Sequence, residues 1–507
     1  MQRLVPSVTR LTAAGLAAVK RRVARAAPLI AAALTVAAAL VPCPAAAGEA
    51  ASDGLDLRVD AARQAGTIRP LHGVNNGPLN RGETVDLRAG YRAMHVPLVR
   101  LHDCEWPRPD LVDMHAVFPD PSADPSRPES YRFAKTDAYL SAIIETGAGI
   151  VYRLGESIEH SHTKYHVHPP ADPGRWAAAC IGLIRHTNEG WADGHRWGIR
   201  YWEIWNEPEN RPAMWTGSDA DYYRLYATAA RAIKERFPDL RVGGPAVGAT
   251  GPVADGRLAA TDFLEGFLRH VRETGAPLDF FSWHTYTDDP SEYARKTRAI
   301  RRWLDERGFP KTEIHLNEWN YLPDGDWSPM LDRERPERRA AWMARIGGPE
   351  GAAFLACALI GLQDAPLDAA NYYRGDSGDF GLFTWHGVPK KSFHGMRAFA
   401  LLHETPVRLE ATGGQAGAWA ACAAAGREGT CVTVLAANLR AAGTTFRLRL
   451  DGLPWDGPTA WEALGVDAER NLEPVATGTA EAGPVGLSVP FAAPCVRLVR
   501  LRPKGGE

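Results

Sequence analysis

The sequence predicts an α/β protein, a (β/α)8 TIM barrel followed by a C-terminal β-sandwich, and three observations carry that prediction. From about residue 66 to 400, short apolar runs alternate with long amphipathic helical patterns, the signature of a parallel βα array. Beyond Pro406 the texture changes to short alternating runs between glycine and proline turns, which suits a sandwich of about 100 residues. Two extended runs inside the first region each stop on an Asn-Glu pair, Asn206-Glu207 and Asn317-Glu318.

In chain order, the first 47 residues carry Arg3, Arg10, Lys20, Arg21, Arg22 and Arg25 and no acid. The alanine-rich run Ala26 to Val41 follows, and Ala45-Ala46-Ala47 offers a small-residue cleavage site, so 1–47 reads as an export signal to the periplasm or the exterior. The run is shorter than the ~20 apolar residues that span a bilayer, so no stable membrane span is expected once the signal is removed. Residues 48–65, with the run Leu55 to Asp60, are expected to add a strand to the sandwich. Residues 66–405 form the barrel and 406–507 the sandwich. Eight barrel strands are predicted at Arg69–Asn75, Val96–His102, Gly149–Leu154, Ile199–Asn206, Leu240–Pro245, Leu278–Tyr286, Thr312–Glu318 and Leu367–Tyr373. Between them, Asp219 to Phe237, Phe263 to Glu273 and Ser291 to Arg307 carry apolar residues at three-and-four spacing. Trp106 to Tyr131 is rich in proline and predicted irregular. Sandwich strands are predicted at Cys431–Ala437, Thr445–Leu450, Gly486–Val489 and Val496–Leu501.

The chain has 58 basic and 60 acidic residues, and without the six basic residues of the leader 52 basic residues remain. An acidic mature chain lacks the basic surface that phosphate binding needs, so nucleic acid is not an expected partner. Six cysteines follow the leader. Cys422 and Cys431 flank a Gly-Arg-Glu-Gly turn between two apolar runs, a spacing that suits a bridged hairpin in an exported protein. The other four read as buried thiols. No cysteine spacing resembles a metal knuckle, and neither metal nor cofactor is expected.

The chemistry sits at the Asn-Glu tips. In Tyr201 to Asn210 a strand-like run ends where Pro208 stops it, and proline biases Glu207 toward extended geometry at the C-terminal tip of the fourth strand. Glu318 ends the seventh strand beside Trp319. Both carboxylates then share the mouth at which barrel active sites are built. Two strand-tip carboxylates about 5 Å apart are the minimal equipment for glycoside hydrolysis through a covalent intermediate. Glu313 shares parity with His315 and not with Glu318 in an alternating strand and lies deeper, and Glu203 reads as the buried half of a structural ion pair.

Trp205-Asn206-Glu207-Pro208 resembles the acid/base motif of the retaining clan of barrel glycosidases, and Leu316-Asn317-Glu318-Trp319 stands where those enzymes carry the nucleophile. Within that clan the chain most resembles glycoside hydrolase family 39, the β-xylosidase and α-L-iduronidase family. The resemblance implies Glu207 as general acid/base, Glu318 as nucleophile, and Asn206 as donor to the hydroxyl beside the reacting carbon. The sixth strand ends in His284-Thr285-Tyr286, similar to a family pair whose histidine faces the acid/base and whose tyrosine faces the nucleophile. A phenol donating to Glu318 would keep it charged, whereas Glu207 near apolar rings should titrate higher than usual.

Arg100 and His102, at the end of the second strand, resemble the family's residues there. Arg100 is placed to brace Glu318 from below and His102 to bind a sugar hydroxyl. Trp327 and Trp385 are candidate sugar platforms, because flat rings match the apolar face of a pyranose. Glu156 and Lys164 are loop candidates for sugar contacts, with plain solvation the competing expectation. The His160 to His168 run, with four histidines, reads as a polar substrate lip rather than a metal site. The expected partner is an oligo- or polysaccharide. A β-xylosidase-like exo-enzyme is the leading reading. An endo-acting or exopolysaccharide-processing glycosidase, a uronidase drawing its cation from Lys164, Arg153 or Arg374, and a non-catalytic polysaccharide-binding protein are the alternatives.

Overall fold

A computed structural model of the chain describes residues 54–105, 111–414 and 417–505. The leader and the start of the proline-rich loop, Trp106 to Asp110, lie outside the described residues. Eight parallel strands close into a barrel in sequence order: Gly73–Asn75, Leu98–Arg100, Gly149–Leu154, Tyr201–Ile204, Arg241–Val247, Phe280–Thr287, Glu313–Tyr321 and Ala369–Tyr372. Each overlaps its predicted run. Helices lie between successive strands, and the Asp219–Arg236 helix is started by a capping box in which Ser218 and Asp221 each accept from the other's backbone N–H.

The barrel interior is layered. At the bottom the Phe280 and His315 rings stack at 4.4 Å with Tyr201 edge-on to His315. Gly243 makes the room, since a Cβ there would lie 2.5 Å from Phe280 Cγ. Above this plug the layer turns polar, with Arg100, Glu203, Asn75 and Asn317 fully buried. Charged groups so placed must satisfy one another.

The seventh strand departs from simple alternation. Against the sixth strand its register runs from Trp283 opposite Leu316 to His284 opposite Glu318, and against the eighth from Leu316 opposite Ala370 to Trp319 opposite Tyr372. One extra residue is therefore inserted near Asn317, a β-bulge, which turns two consecutive side chains toward the interior. Asn317 reaches down to Glu203 while Glu318 faces the mouth. Unbroken alternation would place Glu318 on the face opposite His315; the bulge brings it inside as well, so depth and not parity separates it from Glu313, which meets Tyr201 and His315 in the plug.

The C-terminal strands form one nine-stranded sheet into which Gly54–Thr67 is inserted, antiparallel to Val407–Thr412 and parallel to Thr445–Asp451. Phe446, Leu448 and Leu450 alternate with exposed or half-exposed neighbours and share one apolar cluster with Leu57, Val59, Val434, Val489 and Val499. Strands from both halves of the sheet thus enclose one core, as the layers of a sandwich do. Val432–Asn438 is buried on both faces because its other side, with Leu435 and Ala437, joins the barrel's apolar core. The helices Pro349–Leu362 and Lys391–His403 lie in that junction, and the first is apolar all round because it is covered all round. Among the described residues no single helix is long and apolar enough to cross a membrane.

The expected Cys422–Cys431 bridge is absent: all six cysteines of the described chain are free thiols. The hairpin register pairs Cys422 with Leu435 and Ala425 with Val432, which leaves Cys431 next to the turn and Cys422 several residues up the opposite strand. At ~3.4 Å per residue the two sulfurs are far outside bonding reach. Thiol titration of the purified chain, denatured without reductant, is predicted to count every cysteine from Cys104 onward as reactive; a count two lower contradicts this register.

Candidate active site

Glu207 stands three residues beyond the end of the fourth strand, on a backbone pinned from both sides. The Trp205 N–H donates to Leu154 O at 2.7 Å on the third strand, and the Glu207 N–H donates to Ala246 O at 3.0 Å on the fifth. Proline favours an extended Glu207, but its φ is +43°, with Trp205 at +71°. The neighbouring strands impose this left-handed backbone over the local preference. Such residues cost roughly 1–3 kcal/mol each and collect at functional sites.

Glu207 and Glu318 each present one carboxylate oxygen and His284 one ring nitrogen, and these atoms lie within 4.8 Å of one another. His284 Nδ1 is 2.8 Å from Glu207 Oε1 and 3.7 Å from Glu318 Oε2. The Tyr286 hydroxyl donates to Glu318 Oε1 at 2.5 Å. His284 and Tyr286 share the inward parity of the sixth strand, which lets one strand serve both carboxylates. Asn210 Nδ2 donates to Glu207 Oε2 at 3.0 Å.

Arg100 braces the site from the polar layer below. Its Nε donates to Glu203 Oε2 at 2.7 Å, and its Nη1 donates to Glu318 Oε2 at 3.3 Å and to Asn75 Oδ1 at 3.2 Å. Its Nη2 donates to Asn206 Oδ1 at 2.5 Å. The last bond fixes the amide of Asn206 with its NH2 turned away from Arg100, as a donor toward the mouth. Glu203 is the ion-pair partner that the sequence suggests.

The electrostatics of Glu207 differ from expectation. Burial pushes its carboxyl up, but the hydrogen bond and charge of His284, with Asn210 and Arg100, outweigh burial and hold it below its ordinary 4.5. Burial pushes His284 down, yet Glu318 and Glu207 together raise it above its ordinary 6.5. Apolar rings do surround the site, but the imidazolium is closer. The pair therefore keeps one proton 2.8 Å from Glu207 Oε1. Burial, with the charge of Glu318, raises Tyr286 well above 10.0, so it remains a donor.

The other candidates fall into two groups. His102 is buried beside the site, with Nε2 3.3 Å from Asp103 Oδ1 and Nδ1 without a partner among the described residues; burial and the nearby cations keep it neutral. Trp327 is half-exposed and packs edge-on to Tyr286 at 5.1 Å, at the mouth. Trp385 lies on the loop after the eighth strand, donating its Nε1 N–H to Asp379 Oδ1 at 3.1 Å, and touches neither Glu207 nor Glu318. Glu156 is not solvated: it is buried and bound to His115, lining a cavity of about 830 Å³ with Phe118, Trp176, His166 and Trp205. Lys164 is held by the carbonyls of Glu159 and Ser161. The histidines of its loop do not converge, since His166 stacks on His115 and His168 bonds Thr216.

Sequence reasoning passes over Tyr373, Asp103, Glu209 and Asn75. Tyr373 packs on Tyr286 and donates to Asp103, while Glu209 accepts from the Gly248 N–H at 2.6 Å beside Glu207. Only Glu209, two residues past the motif's glutamate, gives a local signal. Burial and the charge of Glu207 push it up to about 7.

The model of "Glycosyl hydrolases family 39" matches residues 59–416. The chain is 27% identical over 267 residues to a beta-xylosidase of Geobacillus stearothermophilus, covering 47% of this chain and 48% of that one. It is 28% identical over 311 residues to a beta-xylosidase of Caldicellulosiruptor saccharolyticus, covering 54% and 56%. It thus spans about half the length of the curated relatives it matches. A crystal structure of a glucosidase from Croceicoccus marinus superposes with a TM-score of 0.74 at 26% identity, over 89% of this chain and 99% of that one.

The charge state of the His284–Glu207 pair has a measurable signature. A histidine raised by its partners contributes stability below 6.5 and loses it as pH climbs through the raised value; a depressed glutamate contributes above 4.5 and loses it as pH falls through the depressed value. The melting-temperature difference between the wild type and His284→Asn is predicted to be largest between pH 4.5 and 6.5 and to shrink on either side. A difference that does not vary with pH in calorimetric scans rules out the ion pair.

Proposed function

The chain belongs to glycosyl hydrolase family 39, and from that membership we propose that it is an exported, retaining O-glycosidase acting on neutral β-linked sugars, β-xylosides first. The observation that carries the reading is the pair of carboxylate oxygens, from Glu207 and Glu318, within 4.8 Å of each other. Carboxyls ~5 Å apart suit direct attack by one of them, whereas inversion needs ~6.5–9.5 Å to admit a water between them.

In the first step Glu318 attacks the anomeric carbon while Glu207 protonates the departing oxygen. The attacking carboxylate is oriented by the Tyr286 hydroxyl and Arg100. The proton that Glu207 delivers comes to it from His284 Nδ1 at 2.8 Å, which leaves Glu207 ionised and His284 neutral. In the second step Glu207, now ionised, takes a proton from water as that water attacks the glycosyl ester and releases Glu318. The Asn206 NH2, fixed by Arg100, donates to the hydroxyl next to the reacting carbon.

A neutral sugar is favoured because Arg153, Arg374 and Lys164, any one of which could have met a uronate carboxylate, already hold other partners. Arg153 is fully buried against Asp113, Arg374 is bound to Asp376, and Lys164 is held by backbone carbonyls. The two curated beta-xylosidases favour xylosides, and the glucosidase keeps glucosides second. Export rests on the six basic residues and alanine-rich run of the leader.

Proton NMR of the first minutes of aryl β-xyloside hydrolysis by residues 48–507 is expected to show the β-anomer of free xylose before mutarotation, with turnover lost in Glu318→Gln. First formation of the α-anomer overturns the retaining reading, and silence on xyloside, arabinoside, glucoside and galactoside substrates alike overturns the exo-glycosidase reading.

A further inference from the structure

Asp103 takes no part in the chemistry above, yet the fold holds it at the mouth on a conformation that an aspartate adopts at a cost. It follows the second strand, 6% exposed, with φ at +52°. Glycine occupies that region freely, and a non-glycine residue retained there points to a local demand on its side chain.

The carboxyl is incompletely satisfied. Oδ1 accepts from the Ile158 N–H at 3.1 Å, with His102 Nε2 at 3.3 Å. Among the described residues Oδ2 has only the long bond from the Tyr373 hydroxyl at 3.4 Å. The Tyr373 ring packs against Tyr286, which in turn donates to Glu318, so one aromatic layer separates Asp103 from the attacking carboxylate. His102 Nδ1, buried beside it, also lacks a partner among the described residues. Burial and the charge of Glu318 push Asp103 up to about 7.

Barrel topology puts this cluster on a defined wall. Asp103, His102 and Tyr373 belong to the tips of the second and eighth strands, on either side of the first; Glu207 and His284 belong to the fourth and sixth, on either side of the fifth. In a closed barrel of eight, the first and fifth strands are opposite. The leaving group must lie on the Glu207 side, so the ring hydroxyls farthest from the reacting bond fall on the Asp103 side.

We infer that Asp103 is a substrate-binding residue that accepts a hydrogen bond from O3 or O4 of the sugar whose anomeric carbon reacts, and that it selects a neutral sugar there. The inference rests on the glycosidase reading of Glu207 and Glu318. A uronate pressed against this wall would meet Asp103 with Arg374 already bound to Asp376.

The test crosses the enzyme with the substrate. Wild type, Asp103→Gly and Asp103→Asn are assayed on the parent aryl β-xyloside and on its 3-deoxy and 4-deoxy analogues. Wild-type kcat/KM is expected to fall at least about tenfold on one analogue. Asp103→Gly is expected to lose a similar factor on the parent and nothing further on that analogue, while its melting temperature does not drop, because glycine relieves the backbone. Asp103→Asn keeps the shape and an acceptor oxygen and is expected to retain part of the discrimination. Full discrimination in Asp103→Gly together with a lowered melting temperature assigns the residue to structure alone and overturns the proposal. If the wild type hydrolyses no glycoside, the glycosidase reading fails and this one with it, an outcome distinct from turnover with unchanged discrimination.

Discussion

One guanidinium holds the mouth of this barrel together. Arg100 is fully buried on the second strand and shared among Asn75 of the first, Glu203 and Asn206 at the fourth, and Glu318 of the seventh. Removing one partner from a buried ion pair typically costs about 3–5 kcal/mol, because the other charge is left unpaired in a low-dielectric interior. Here the loss is also geometric. The same planar fork that neutralises Glu203 sets the direction of the Glu318 carboxylate and the flip of the Asn206 amide, so stability and alignment rest on one set of bonds.

Above Arg100 the site stores charge and strain together. Glu207, Trp205 and Asp103 all sit at positive φ, at the tips of the fourth and second strands. Ladder bonds from the third and fifth strands, one on each side, hold Trp205 and Glu207 in place. Around the mouth, Asp103 and Glu209 are pushed up to about 7 by burial while Glu207 is held down by His284. Acids of one kind are thereby separated into distinct protonation states by what surrounds each.

The architecture is legible in the sequence because its signals are local. Barrel strands are continuous apolar runs, and Pro208 marks where the fourth one stops. Glu207 and Glu318 can be singled out for the same reason. What escapes is set by tertiary contact. The bulge at Asn317 has no signature in Leu316-Asn317-Glu318, since it exists only in the register against two other strands. The depressed pKa of Glu207 depends on an imidazole 77 residues away. Cys422 and Cys431 fit a bridge by spacing and are separated by hairpin register. Asp103 and Tyr373 meet across 270 residues, and neither carries a motif.

The most direct test of the account is covalent trapping. Incubation of residues 48–507 with an aryl 2-deoxy-2-fluoro-β-xyloside slows both steps through the electron-poor sugar and, with a good leaving group, lets the glycosyl-enzyme accumulate. Intact-mass spectrometry is predicted to show one added fluoroxylosyl group, and peptide mapping to place it on Glu318. An enzyme that hydrolyses the ordinary xyloside but carries no adduct, or carries it on Glu207, contradicts the account.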